Sequence, residues 1–174
     1  MNFKVTLLGD GGVGKTALVK RHLIGDFDKR YIATLGVEVH PIRFNSNYGP
    51  VCLNVWDCAG QEKFHGLGAG YYVKSEGLIL MFDLTSINTF KNVDKWLTNY
   101  LRVVNTLPEN IILCGSKCDM NEQEVTNEMI QEFVYKTGIK YFSISSKTNY
   151  NFDKPFLELS RVLTKHADLN FTCY

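Results

Sequence analysis

The chain has 174 residues, 45% hydrophobic and 21% charged, values of a globular domain that exclude a low-complexity or disordered segment. Nineteen basic residues against eighteen acidic ones leave a net charge of +1, so nothing calls for nucleic acid or an anionic membrane as partner. No apolar run reaches the roughly 18 residues a membrane span needs, and the N-terminus lacks a secretory pattern. This length predicts a single domain over 1–174, with a core at 2–166 and a short C-terminal extension at 167–174. The odd count of five cysteines predicts reduced thiols, and Cys114 and Cys118 lack the second pair a zinc site requires. Cys173, second from last, is outside a prenylation box, so no membrane anchor is expected.

In chain order, residues 3–8 are an apolar, β-favouring run that predicts the first strand. Gly9-Asp10-Gly11-Gly12-Val13-Gly14-Lys15-Thr16 follows and matches the phosphate-binding pattern G-x-x-x-x-G-K-[ST]. Helical spacing of apolar residues then predicts a helix over 15–24. Strands are predicted over 37–44 and 51–57, joined at 45–50 by an Asn/Ser/Gly/Pro-rich hairpin turn. Further strands are predicted at 78–83, 111–115 and 141–144, alternating with helices at 89–105, 127–137 and 152–166. Ser86 and Thr126 are candidate N-caps. The alternation predicts an α/β fold, a six-stranded, mostly parallel sheet with one antiparallel strand and helices on both faces. In such sheets ligands sit beyond the carboxyl ends of the strands, where every segment discussed next is expected to converge.

Strand, glycine-rich turn and helix start give the phosphate pattern its context. Inward-facing amides of Asp10, Gly11, Gly12, Val13, Gly14 and Ala17 would join the positive helix end around an anion. Lys15 would add charge on the β- and γ-phosphates, and the Thr16 hydroxyl would ligate Mg²⁺. Asp57 closes the third strand and runs into Cys58-Ala59-Gly60-Gln61, so it can hold Mg²⁺ through water, opposite Thr16. Gly60 has no side chain to keep its N–H from a γ-phosphate, and Gln61 can orient the attacking water. Thr34, between first helix and second strand, is the candidate second Mg²⁺ hydroxyl, with its N–H on the γ-phosphate. Lys15, Thr34, Gly60 and Gln61 therefore form the candidate catalytic set.

Base identity is assigned to Ser116-Lys117-Cys118-Asp119. A carboxylate at Asp119 can accept from guanine N1 and N2, donors that adenine lacks. The Lys117 stem and Phe27 would cover the two faces of the base, and Ser145, Ser146 and Lys147 would offer a backbone N–H to guanine O6. Asp28, Lys29, Arg30 and Tyr31 are expected along the same nucleotide. For Arg30 a solvated loop charge is the preferred reading over an internal arginine finger.

This ordered set resembles the small GTPases of the Ras superfamily, and within it the nuclear-transport branch of Ran type. The narrower likeness rests on Thr34-Leu35-Gly36-Val37-Glu38-Val39-His40-Pro41, on Asn54-Val55-Trp56-Asp57 with Ala59-Gly60-Gln61-Glu62-Lys63-Phe64, and on Lys147-Thr148-Asn149-Tyr150-Asn151-Phe152-Asp153-Lys154-Pro155-Phe156-Leu157. The resemblance implies a small G-protein domain and a monomeric, Mg²⁺-dependent GTP hydrolase that is slow without an activating protein. It further implies an exchange factor, a GTPase-activating protein and nuclear transport receptors as partners, in nucleus and cytoplasm. The alternatives are a degenerate guanine-nucleotide module with weak hydrolysis and a Rab-type membrane-traffic GTPase. A P-loop kinase is disfavoured because no lid or acceptor-binding segment is visible.

Ser116 stands where most of that family has an asparagine that bonds guanine N7 and ties the base loop to the phosphate loop. The shorter serine is expected to lose one or both bonds and to weaken nucleotide retention. Residues 64–72 lack the charges of Ran relatives, a basic receptor patch is reduced to Lys136, and the acidic C-terminal tail has no counterpart in the sequence.

Overall fold

The computed structural model describes residues 1–25, 27, 28, 30, 32–60 and 69–172. Its strands are β1 (Asn2–Leu8), β2 (Val37–Phe44), β3 (Val51–Cys58), β4 (Gly77–Asp83), β5 (Ile111–Ser116) and β6 (Lys140–Ser143). They form one sheet in the order β2-β3-β1-β4-β5-β6, with the β2–β3 pair antiparallel and the other four pairs parallel. The helices are α1 (Lys15–Ile24), α2 (Ala69–Tyr72), α3 (Ile87–Lys91), α4 (Val93–Leu101), α5 (Asn127–Thr137) and α6 (Lys154–Thr164).

The sheet has an apolar layer on each face, which is why β4 reads as an unbroken apolar run up to Phe82. On β4, Leu78, Leu80 and Phe82 enter a core with Trp96, Leu97 and Tyr100 of α4 and Ile130 and Phe133 of α5. Ile79 and Met81 enter the opposite core, with Leu18 and Val19 of α1 and Phe156 and Leu159 of α6. Replacing one of these buried leucines by alanine is expected to cost about 2–5 kcal/mol.

The helix expected over 89–105 starts earlier and divides at Asn92 into α3 and α4. The Asn92 side chain there donates to Asp10, 82 residues away in sequence. Thr126 caps α5 by accepting the Met129 N–H, whereas the Ser86 side chain makes no cap bond to α3. Strand β6 starts one residue earlier than expected, and α6 is shorter at both ends than 152–166.

Beyond α6 the chain folds back onto the β2–β3 turn. Thr172 N–H donates to Asn45 O at 2.9 Å, and Asn170 N–H donates to the Asn47 side chain at 2.9 Å. Phe171 stacks on Phe44 with ring centroids 4.1 Å apart, and His166 stacks on Tyr48 at 4.0 Å. The segment expected as an extension from residue 167 is thus docked through 172.

His22 on α1 lies among Phe44, Phe152 and Phe156, with ring centroids 5.6, 4.4 and 4.5 Å away. Its Nε2 is 2.9 Å from the Phe152 carbonyl, which can only accept, so Nε2 carries the proton. Burial lowers its pKa below the ordinary value, outweighing that bond and the charge of Asp153. The folded state therefore binds fewer protons here than the unfolded state, and this contribution to stability is full above about pH 6.5 and declines as pH falls. Urea midpoints of wild type and His22→Phe between pH 7.5 and 5 should diverge, with wild type losing more on acidification. Parallel curves would contradict the assignment.

Candidate functional site

The turn between β1 and α1 takes its shape from glycines. Gly9, Gly12 and Gly14 have φ of 147°, 80° and 97°, conformations that L side chains rarely adopt. A Cβ on Gly9 would also strike the Met81 carbonyl. Helix α1 begins at Lys15, directly after left-handed Gly14, so its first amides face the cleft without an acidic side chain in the first turn.

Lys15 is buried, and its ammonium donates to the carbonyls of Gly9 at 2.7 Å and Asp10 at 2.8 Å. Burial lowers its pKa to about 8, while the negative charges of Asp57 and Asp10 oppose the shift. Asp57, at the end of β3, is fully buried, and its Oδ2 accepts from the Thr16 hydroxyl at 2.5 Å. That donation uses the single hydrogen of Thr16, so in the 3.0 Å contact between the two hydroxyls Thr34 is the donor. Burial raises the Asp57 pKa against the Thr16 bond and the Lys15 charge.

Three hard oxygens thus converge at Thr16 from α1, the 25–36 connection and β3, a donor set suited to Mg²⁺. Thr16 and Thr34 would hold the ion directly and Asp57 through water.

Gly60 packs onto the phosphate loop so closely that a Cβ there would strike Gly11 N and Asp10 C. Its carbonyl accepts the Gly11 N–H at 2.9 Å. The sequence assigns the Gly60 N–H to a γ-phosphate; the structure adds that the Gly60 carbonyl is the group bonded to the loop. Gln61 and the remainder of 61–68 lie outside the described residues, as do Lys29 and Tyr31.

The base-recognition segments sit at the ends of β5 and β6. Ser116 is buried, with its hydroxyl 2.6 Å from Val13 O and 3.0 Å from Phe82 O. The tie between base loop and phosphate loop is therefore kept by the shorter side chain, through the Val13 carbonyl. Lys117 is held in the left-handed region at φ 61°, and its ammonium pairs with Asp83 at 2.5 Å. Asp119 accepts from the Ser145 hydroxyl at 2.6 Å and lies 3.8 Å from the Lys147 ammonium.

A cavity of about 280 Å³ joins these segments. Its lining includes 11–17, Phe27, Asp28, Arg30, Thr34, Gly60, Ser116, Lys117, Asp119 and 145–147, which brings together the described candidates apart from Asp57 and Asp10. Asp57 is buried and reaches the cleft through its bond to Thr16. Asp10, expected among the nucleotide contacts, turns its carboxylate out of the cleft to Asn92 and Trp96. Arg30 is 84% exposed and paired with Asp28 at 3.2 Å, as a solvated loop charge. Lys20, Ile32 and Met120 also line the cavity, in addition to the expected set. Lys20 is legible in sequence as the residue one turn beyond Thr16; Ile32 and Met120 carry no local signal.

A phosphate loop at the carboxyl end of β1, with a carboxylate and two hydroxyls beside it, defines a P-loop nucleotide-binding domain. Over residues 4–165 the sequence matches the Ras family, and the chain belongs to that family. Members are guanine-nucleotide-binding molecular switches with GTPase activity.

Replacing Gly60 by alanine should force the 57–60 segment off the phosphate loop and break the bond to Gly11. Overpacking of this kind typically costs about 1–3 kcal/mol, readable as a lowered melting temperature and weakened triphosphate affinity. A Gly60→Ala protein that melts and binds like wild type would show that the close approach is not required.

Proposed function

We propose that the chain is a Ran-type GTPase that binds GTP and GDP with Mg²⁺, hydrolyses GTP slowly unaided, and acts as a switch in nucleocytoplasmic transport. The observation that carries the GTPase reading is the meeting of Thr16, Thr34 and Asp57 beside Lys15, with Gly60 brought onto the loop from a separate segment. The stretches at 34–41, 54–57 with 59–64, and 147–157 support the Ran-type assignment, because the last two include residues that nucleotide chemistry does not require.

Lys15 and the loop amides hold the β- and γ-phosphates and stabilise charge that develops on them. Bound Mg²⁺ supplies charge neutralisation on those phosphates. Gln61 orients the attacking water. Thr34 and Gly60 lie on segments that would contact a triphosphate and release a diphosphate, which makes the two states structurally distinct. Asp119 selects guanine, Phe27 and the Lys117 stem cover the base, and Ser145, Ser146 and Lys147 close its edge. An exchange factor, a GTPase-activating protein and nuclear transport receptors are the proposed partners of a monomer in nucleus and cytoplasm, with no nucleic acid involved.

The nucleotide released on denaturing the purified protein should be GDP or GTP, and an adenine nucleotide would overturn the base assignment. Single-turnover hydrolysis should fall at least tenfold in Gln61→Leu while GTP binding persists. If wild type holds GTP but does not turn it over, the protein is instead a guanine-nucleotide module. Because Ser116 already ties the two loops, Ser116→Asn should slow GDP dissociation only several-fold, in proportion to one added hydrogen bond; equal rates would show that serine costs nothing here.

A further inference from the structure

Asp10 places a carboxylate within the loop that carries the phosphate-binding pattern and borders the cleft. An anion tethered there would repel phosphates and compete with them for the same N–H groups. Both of its oxygens are instead held from outside the loop: Trp96 Nε1–H donates to Oδ1 at 2.7 Å, and Asn92 Nδ2–H donates to Oδ2 at 2.7 Å. Asn92 sits at the break between α3 and α4, and Trp96 lies on α4, 5% exposed in the adjoining core. The Asp10 carbonyl meanwhile accepts from Lys15 at 2.8 Å, and its backbone packs on Gly60. Moving this residue therefore moves the Lys15 ammonium's acceptor and the neighbouring Gly11 amide as well.

We propose that Asn92 and Trp96 are positioning residues that hold the Asp10 carboxylate away from the phosphate end of the cleft and thereby set how tightly a nucleoside triphosphate is retained. This rests on the guanine-nucleotide reading above. The two donors are neutral, so they hold one bond on each carboxylate oxygen without themselves bringing a cation that would compete with Lys15 for the phosphates. A triphosphate, which carries more charge toward this end than a diphosphate, gains more from the restraint.

The test is a double-mutant cycle read by GTP and GDP affinity, using Trp96→Phe and Asn92→Ala, each in wild-type and Asp10→Ala backgrounds. Trp96→Phe keeps the aromatic packing and removes the donor. It should weaken GTP binding about tenfold, the scale of a hydrogen bond to a charged group, and GDP binding less. In the Asp10→Ala background the same change should have less than a twofold effect, because no carboxylate remains to be released. A loss of equal size in both backgrounds would assign Trp96 a packing role only and overturn the proposal, as would unchanged GTP affinity in Trp96→Phe. If Trp96→Phe fails to give a cooperative melt, the Asn92→Ala pair carries the same cycle and is read in the same way. Wild-type protein that binds neither GTP nor GDP would overturn the functional reading and this inference with it. Wild type that binds both, with additive variants, would overturn this inference alone.

Discussion

The buried ammonium of Lys15 is the constraint on which the rest of the site depends. An ammonium removed from water is costly unless its three hydrogens find acceptors and its charge finds a counter-charge. The carbonyls of Gly9 and Asp10 accept two of them, which requires the loop to curl back over the side chain. That curl requires positive φ at Gly9, Gly12 and Gly14. The same loop lines the cleft from Gly11 to Ala17, so the shape of the anion site follows from accommodating the lysine. Asp57 supplies negative charge from β3, where the Thr16 bond and the Lys15 charge offset part of the cost of its own burial.

Much of this is legible in the sequence because it is local. The β4 segment is apolar on every residue through Phe82, and only a strand covered on both faces has that pattern. The phosphate loop is legible because its glycines are dictated by backbone geometry within eight residues. What escapes depends on distant partners. The division at Asn92 depends on an aspartate 82 residues earlier, and no helical periodicity announces it. The same pairing hides the place of Asp10, which by position belongs to the phosphate loop while its side chain belongs to α4. Ile32 and Met120 enter the cleft through loop conformations that neither spacing nor composition encodes.

Ser116 shows how a substitution can look severe in sequence and be moderate in structure. An asparagine has enough reach and donors for two partners, and serine has a single hydrogen. The chain places that hydrogen within reach of Val13 O, which keeps the strand-end loop of β5 bound to the loop after β1. The scaffold at this corner of the cleft is therefore kept.

The segment after α6 lies at the pole of the sheet opposite the cleft, where it grips the β2–β3 turn. That grip acts as a register lock. The ladder runs from Val37 opposite Cys58 to Phe44 opposite Val51, and a slide of two residues would unstack Phe44 from Phe171 and part Asn47 from Asn170. A slip of one would turn buried Ile42 of the edge strand to the opposite face. The hairpin is therefore held at its far end by the chain's last described residues as well as along its own ladder, at the pole away from the nucleotide cleft.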